Sequence, residues 1–168
     1  MAAEISLNPG FDVLLFDLGG VLIELAGVGR MLELCNNAFT VDELWTRWLA
    51  SESVRKFESG RADPDEFAAA MLAEFSLPIG AAQFLQEFAA WPKGLFPGSL
   101  DLLQQLSESY HLACLSNTNV LHWARISGEM DLLRHFHTSF ASHLLGMMKP
   151  DLEIFLLIVD WYRLMSFT

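Results

Sequence analysis

Asp17 is the residue whose type and position most strongly suggest covalent chemistry. It follows a nearly continuous apolar run, residues 11–16, and lies two residues before the glycine pair Gly19 and Gly20. An aspartate at the end of a buried strand can attack phosphorus and form an aspartyl-phosphate, with Mg²⁺ offsetting the repulsion between two anions. The glycines would leave main-chain N–H groups open to a substrate oxyanion. Alternatively, Asp17 only caps the following turn, because Asp and Gly are the commonest turn residues.

Two further polar segments carry groups that suit the same chemistry. Ser116, Asn117 and Thr118 follow an apolar run, and a hydroxyl with N–H groups there can bind a phosphoryl group, because a helix N-terminus favours negative charge. Lys149 precedes Pro150, which places its ammonium where it can neutralise a carboxylate and a phosphate. Taken singly, a helix N-cap and a surface lysine are the alternatives. The order of carboxylate, hydroxyl and ammonium favours one shared site.

Strands and helices alternate around these segments. Apolar runs predict buried strands at residues 11–16 and 111–115, and a further short strand is expected near residues 138–141. Apolar spacings of three and four predict helices at residues 99–109, 120–130 and 151–165. This alternation indicates a mainly parallel sheet, whose ligands bind beyond the carboxyl ends of the strands. Asp17 and Ser116 both lie at such ends.

The segment between the first two strands has a helical pattern of its own. From about residue 31 to residue 91 apolar residues recur at helical spacing. Breaks at residues 59–60, 77–80 and 91–94 divide the segment into short helices. Asp63, followed by a proline and then a glutamate, predicts the N-cap of one of them.

The composition indicates a folded protein and excludes several classes of partner. The 168 residues are 52% hydrophobic, which is enough for a substantial core in one domain. A formal net charge of -11 without a basic stripe argues against binding to nucleic acid or anionic membranes. The apolar stretches at residues 11–25 and 154–167 are too short and too interrupted by charges to span a bilayer. With no signal-peptide pattern at the start, we expect a soluble, cytoplasmic protein.

On these motifs the chain resembles the haloacid dehalogenase-like (HAD) hydrolases. Residues 16–22 (FDLGGVL), 115–118 (LSNT) and 149–151 (KPD) resemble the first three motifs of that family, in order. Three further stretches fit the subgroup with a helical cap: residues 57–61 (FESGR), 96–103 (FPGSLDLL) and 140–146 (FASHLLG). The resemblance implies a Rossmann-like α/β core at residues 1–24 and 95–168, with a parallel sheet, and an inserted α-helical cap at residues 25–94.

The resemblance also implies an activity and a set of site residues. It implies Mg²⁺-dependent hydrolysis of a small phosphorylated metabolite, and the Asp-Leu-Gly form resembles a branch of sugar-phosphate phosphatases. Asp17 would be the nucleophile, Ser116 would bind the transferring group and Lys149 would orient both. The residues expected to bind substrate are Gly20, Asn117 and Thr118, and the metal ligands are Asp17 and the Gly19 carbonyl. Arg55, Lys56 and Arg61 in the cap are candidates for contacting an anion.

The sequence departs from the family pattern at two places. Most HAD phosphatases carry a second aspartate, a general acid and base, where this chain has Gly19, so the leaving group needs another proton donor. The fourth motif, whose acidic residues complete the Mg²⁺ site, is missing; Asp160 is the only late acid, which indicates a C-terminally truncated chain with an incomplete metal site. The strand of Asp17 would then be an exposed sheet edge, through which the chain is expected to self-associate.

Two other functions stay open from the sequence. In a 2-haloacid dehalogenase Asp17 would attack carbon and no metal would be needed, although dehalogenases usually place a bulky residue at the position of Gly19. A truncated, non-catalytic protein that associates through the exposed sheet edge is the second alternative.

Overall fold

Three parallel strands bring Asp17 and Ser116 to the same edge of a sheet. The computed structural model describes residues 12–165. In it, β1 (Val13–Phe16), β4 (His111–Ser116) and β5 (Thr138–Ala141) form a sheet in the order β1-β4-β5. Phe16 pairs with Cys114, and Ser116 pairs with Ala141. This confirms the predicted α/β fold with a parallel sheet.

The sheet lies between two apolar clusters because side chains of a strand alternate between its faces. Leu112 and Cys114 of β4 pack into one cluster, and Ala113 and Leu115 pack into the other. The helices of this α/β part are α6 (Ser99–Ser107), α7 (Val120–Ser127), the short α8 (Ser142–Leu145) and α9 (Leu152–Met165), with a 3-10 turn at Leu133–His135. α7 is shorter than predicted and ends at Ser127, before Gly128, a residue type that disfavours helix.

Five helices are inserted after the first strands and form what we call the cap helices. They are α1 (Gly27–Leu34), α2 (Val41–Ala50), α3 (Glu52–Glu58), α4 (Pro64–Glu74) and α5 (Ala81–Ala89). Asp63 caps α4 as predicted, with its side chain accepting a hydrogen bond from the Glu66 N–H. The helices surround aromatic side chains, among which Phe57 and Phe67 stack with ring centroids 4.2 Å apart.

A two-stranded antiparallel ribbon joins the cap helices to the rest of the chain. β2 (Ile23–Leu25) pairs with β3 (Pro92–Leu95), and Lys93 Nζ lies 2.8 Å from Glu24 Oε1 across the pair. The helical pattern ends before residues 91–94 as predicted, but the strand formed there was not predicted. Pro92 is the first residue of its strand, a position where its missing N–H is tolerated.

β1 forms an edge of the sheet within residues 12–165, where it pairs with β4 alone. Leu15 in this strand is 43% exposed. Several apolar side chains of α9 also face outward: Leu152, Phe155, Leu156, Val159, Trp161, Leu164 and Met165. Self-association through this edge stays a prediction. None of the helices in the described part of the chain is long and apolar enough to cross a membrane.

Candidate functional site

A cavity of about 220 Å³ lies between the cap helices and the carboxyl ends of β1 and β4. Six of the predicted site residues line it: Asp17, Gly19, Ser116, Asn117, Thr118 and Lys149. Its apolar wall is formed by Ile23, Leu25, Trp45, Trp48, Leu49, Phe88, Trp91, Pro92 and Ile126. Two further titratable side chains, Glu58 and His122, complete the lining.

The Asp17 carboxylate is oriented by two contacts and stays accessible. Its Oδ1 accepts a hydrogen bond from the Leu18 N–H at 2.8 Å, and its Oδ2 lies 2.9 Å from Lys149 Nζ. The side chain is 46% exposed, and β1 before it is only partly buried. The prediction of a buried strand at residues 11–16 was wrong on this point, because β1 is an edge strand that pairs with β4 alone within residues 12–165. An ionised carboxylate fixed in this way can approach an electrophile from the cavity.

Lys149 is held over Asp17 by its neighbours in the core. Its Nζ also donates to the Leu115 carbonyl at 3.0 Å, and its side chain is 22% exposed. The Asn117 side chain bonds to the Lys149 main chain twice, each bond 2.8 Å long, through its amide group and its oxygen. Asn117 therefore positions the main chain at Lys149, which we call the lysine loop. Since both polar atoms of its side chain are used, Asn117 can contact substrate only through its main chain.

Ser116 and Thr118 differ in what their side chains can offer a ligand. The Ser116 hydroxyl has one weak partner in the described residues, the Asn117 carbonyl at 3.3 Å, so it can turn to a phosphoryl oxygen. The Ser142 hydroxyl accepts a hydrogen bond from the Thr118 N–H at 2.9 Å, and its one proton is shared between the Glu58 carbonyl at 2.6 Å and the Thr118 carbonyl at 3.0 Å. The Thr118 hydroxyl is buried and finds no hydrogen-bond partner among residues 12–165.

The two glycines after Asp17 have different environments. Gly20 does not line the cavity; it adopts a positive φ of 75°, and its N–H donates to the Ile23 carbonyl at 2.8 Å. The structure thus does not bring the predicted substrate contact of Gly20 into the site, because its donor closes the turn. Gly19 lines the cavity, and a Cβ there would lie 3.2 Å from Leu25 Cδ1.

The C-terminal end of α3 docks on the core directly beside the site. The Glu58 carbonyl accepts a hydrogen bond from the Ser142 hydroxyl at 2.6 Å. Gly60, with a φ of 70°, approaches the His143 carbonyl so closely that a Cβ would lie 2.2 Å from the oxygen. An ion pair between Arg55 and Asp151 joins the same helix to the loop after Lys149.

Gly60→Ala is expected to destabilise this docking. A side chain with positive φ costs about 1–3 kcal/mol, and the contact with the His143 carbonyl adds to that cost. Urea unfolding should show a lower free energy of unfolding. Gly29→Ala is the matched control, because a Cβ at residue 29 would meet no atom within 4 Å and the residue is inside α1, where alanine is favoured. Equal losses in both variants would contradict the role of Gly60.

Two titratable side chains at the cavity were not predicted as site residues. Burial raises the pKa of the Glu58 carboxyl to about 7, against the opposing effect of the Lys149 charge. Burial lowers the pKa of His122 to about 4. His122 Nε2 lies 2.7 Å from the Phe88 carbonyl and its Nδ1 lies 3.2 Å from the Asn119 amide nitrogen, an arrangement that suits a neutral ring. In the sequence, Glu58 is only an acidic residue next to Phe57 near the end of a predicted helix, and nothing there indicates a site residue.

The basic residues expected to contact an anion do not line the cavity. Arg55 pairs with Asp151, Lys56 lies 4.0 Å from Glu52, and Arg61 donates to the Ser59 hydroxyl. Lys149 is therefore the cation of the site within the described residues. Residues 12–165 also contain no group of three or more His, Cys, Asp and Glu side chains that could hold a metal ion.

Comparisons with known proteins point to one family. The family model described as haloacid dehalogenase-like hydrolase matches residues 11–163. A HAD family enzyme from Bacteroides thetaiotaomicron, in complex with magnesium and inorganic phosphate, is 26% identical with a TM-score of 0.71 over 90% of this chain and 78% of that chain. A predicted HAD-like family hydrolase from Porphyromonas gingivalis is 24% identical with a TM-score of 0.68, over 89% and 75% of the two chains.

A more distant similarity concerns the fold alone. L-2-haloacid dehalogenase from Xanthobacter autotrophicus, with chloropropionic acid covalently bound, is 16% identical with a TM-score of 0.58, over 89% of this chain and 64% of that chain. No curated protein sequence matches this chain.

Proposed function

Because the chain belongs to the haloacid dehalogenase-like hydrolases, we propose that it hydrolyses a small phosphate monoester through an aspartyl-phosphate on Asp17. The observation that carries this proposal is the position of the Asp17 carboxylate. It lines the cavity, and its Oδ2 lies 2.9 Å from Lys149 Nζ. Ser116 stands at the end of the neighbouring strand and lines the same cavity. The phosphate bound to the Bacteroides relative supports the same type of substrate.

The chemistry of the proposal divides into two displacements at phosphorus. A carboxylate oxygen of Asp17 attacks, the bond from phosphorus to the ester oxygen breaks, and the alcohol leaves after its oxygen takes a proton. Water then attacks the phosphorus of the aspartyl-phosphate, which releases phosphate and restores Asp17. Lys149 neutralises charge that the carboxylate and the phosphate bring together, and the Ser116 hydroxyl donates to a phosphoryl oxygen.

The residues at the site fit Mg²⁺ in part. Asp17 and the Gly19 carbonyl are oxygen ligands of the kind that Mg²⁺ takes, and Mg²⁺ is commonly held by one or two carboxylates, waters and substrate phosphate. When bound, the ion would supply positive charge to the phosphoryl oxygens. Magnesium in the structure of the Bacteroides relative supports this assignment.

Mg²⁺ is expected to bind weakly before substrate is present. The described residues offer one carboxylate and one carbonyl rather than a cluster of acids, so substrate phosphate must supply further ligands. Calorimetric titration should give a Kd above the low micromolar range, and phosphate should strengthen binding. Asp17→Asn should remove the remaining heat. A low micromolar Kd in the absence of phosphate would contradict the expectation.

The cavity supports a small substrate with a partly apolar leaving group. A volume of about 220 Å³ is below the range of about 300–1,000 Å³ typical of sites for drug-sized ligands. Trp45 and Trp91 on its wall offer apolar contact to a sugar phosphate or another compact ester.

A panel of substrates tests the proposal. The purified chain with Mg²⁺ is offered p-nitrophenyl phosphate, glycerol phosphates and hexose phosphates, together with 2-chloropropionate as the dehalogenase substrate. Phosphate release from the esters is the expected result. Chloride release without phosphate release would favour the dehalogenase, and neither product from a folded chain would favour the non-catalytic alternative.

A further inference from the structure

We propose that Glu58, delivered by the cap helix α3, donates the proton that the leaving alcohol takes. The inference rests on the proposed phosphatase function, and it supplies the acid that the sequence leaves without a candidate. Three features of the site support it: Gly19, two positions after the nucleophile, carries no acid, the other titratable groups at the cavity have other partners or roles, and Glu58 lines the cavity.

Gly19 has no side chain to donate a proton. A Cβ at residue 19 would lie 3.2 Å from Leu25 Cδ1, so the Leu25 side chain of β2 is the neighbour on that side. The proton donor must therefore come from another element of the structure.

Four titratable side chains of the described residues line the cavity, and three of them already have another role or other hydrogen-bond partners. Asp17 is the proposed nucleophile. Lys149 donates to Asp17 and to the Leu115 carbonyl. His122 is placed between the Phe88 carbonyl and the Asn119 amide, so both ring nitrogens are occupied. The remaining group is Glu58.

The Glu58 main chain is fixed while its carboxyl stays free. Its carbonyl accepts from the Ser142 hydroxyl at 2.6 Å, and Gly60 anchors the next turn against His143. Among residues 12–165 no hydrogen bond or ion pair engages the carboxyl oxygens. The Glu58 side chain is partly buried at a cavity with aromatic walls. It lies near enough to Lys149 for the positive charge of the ammonium to favour the ionised carboxylate.

These surroundings favour the protonated acid near neutral pH. Desolvation raises the pKa of Glu58 to about 7, and Lys149 opposes that rise. The other groups with ionisable side chains around the cavity are Asp17 and His122, and His143 belongs to the core segment on which α3 docks. A general acid works best when its pKa lies near the operating pH.

The proton balance closes over one turnover. As the bond from phosphorus to the ester oxygen breaks, the Glu58 O–H proton moves to that oxygen and the alcohol departs neutral. The Glu58 carboxylate then removes a proton from the water that attacks the aspartyl-phosphate. Glu58 returns to the protonated acid, and no further reactant is needed.

Glu58→Gln tests the inference through the dependence on the leaving group. An alkyl phosphate such as a glycerol phosphate needs a proton on its leaving oxygen, whereas the nitrophenolate of p-nitrophenyl phosphate departs without one. We expect kcat/KM, which reports formation of the aspartyl-phosphate, to fall by about 10²-fold or more for the alkyl ester and to stay within about threefold for the aryl ester. Hydrolysis of the aspartyl-phosphate is common to both esters, so its slowing lowers kcat for both. Glu52→Gln is the matched control, because Glu52 begins the same helix and is exposed.

The outcomes separate this inference from the proposed function. Equal losses of kcat/KM on both esters, or no loss on either, would overturn the role of Glu58 as the acid while the phosphatase stands. No turnover of either ester by the unaltered chain would overturn the phosphatase and the inference together. Folding is checked by thermal unfolding at pH 8, where Glu58→Gln should melt no lower than the unaltered chain, because it removes a carboxyl that burial makes costly to ionise.

Discussion

Asp17→Asn is expected to lower the turnover of every phosphate monoester by on the order of 10⁴-fold or more, the scale on which loss of a covalent nucleophile is felt. The asparagine keeps the size of the side chain and can keep the hydrogen bond from the Leu18 N–H through its oxygen. It cannot form the acyl phosphate. Steady-state phosphate release with p-nitrophenyl phosphate measures the effect, because that ester needs no proton donor.

Asp12→Asn provides the control for this experiment. Asp12 lies just before β1, and it is exposed and absent from the cavity lining. Asp17 is itself nearly half exposed, so loss of its ion pair with Lys149 should cost at most about 1 kcal/mol of folding free energy. A loss of activity therefore reports chemistry. Residual turnover above a few per cent in Asp17→Asn would contradict the assignment of the nucleophile.

The sheet could be predicted because its signals are local. The strands at residues 13–16 and 111–116 are short, largely apolar runs followed by turn residues, and the structure has them, and the short strand at residues 138–141, nearly where the sequence predicts them. Parallel strands that alternate with helices bring their carboxyl ends to one edge. For that reason Asp17 and Ser116, which are 99 positions apart by their numbers, line the same cavity.

The ribbon of β2 and β3 could not be predicted in this way. Its strands are three and four residues long, and they are separated by the whole set of cap helices. The pairing depends on where those helices return the chain, which no local pattern records. The Gly94 in β3 even favours a turn when it is considered alone.

The roles of individual polar groups also depended on tertiary contacts. Asn117 was expected at the substrate, but both polar atoms of its side chain bind the Lys149 main chain. Gly20 closes its own turn. Glu58 becomes unusual only when α3 docks and removes water from its carboxyl, so its raised pKa has no counterpart in the sequence pattern.

Lys149→Gln is expected to lower kcat by about 10³-fold with the same esters, the upper part of the range for removing one preorganised electrostatic group. The ammonium lies 2.9 Å from Asp17 Oδ2, where it offsets the repulsion between the attacking carboxylate and the phosphate. Glutamine is one bond shorter and keeps a polar N–H group at this position, but it carries no charge. The lysine loop should stay in place, since Asn117 holds the main chain of residue 149 rather than its side chain.

Lys93→Gln is the control that separates the effect of the Lys149 charge at the site from the effect of the net charge of the whole chain. Lys93 also pairs with a carboxylate at 2.8 Å, that of Glu24, but the pair lies on the exposed ribbon and Lys93 is absent from the cavity lining. Both substitutions change the net charge of the chain by the same amount, so an effect of overall charge on substrate attraction would appear in both. A kcat that falls in Lys149→Gln alone would assign the effect to the site. A rise in KM with unchanged kcat in Lys149→Gln would contradict the proposed role, because it would mean that the ammonium binds substrate and transition state equally.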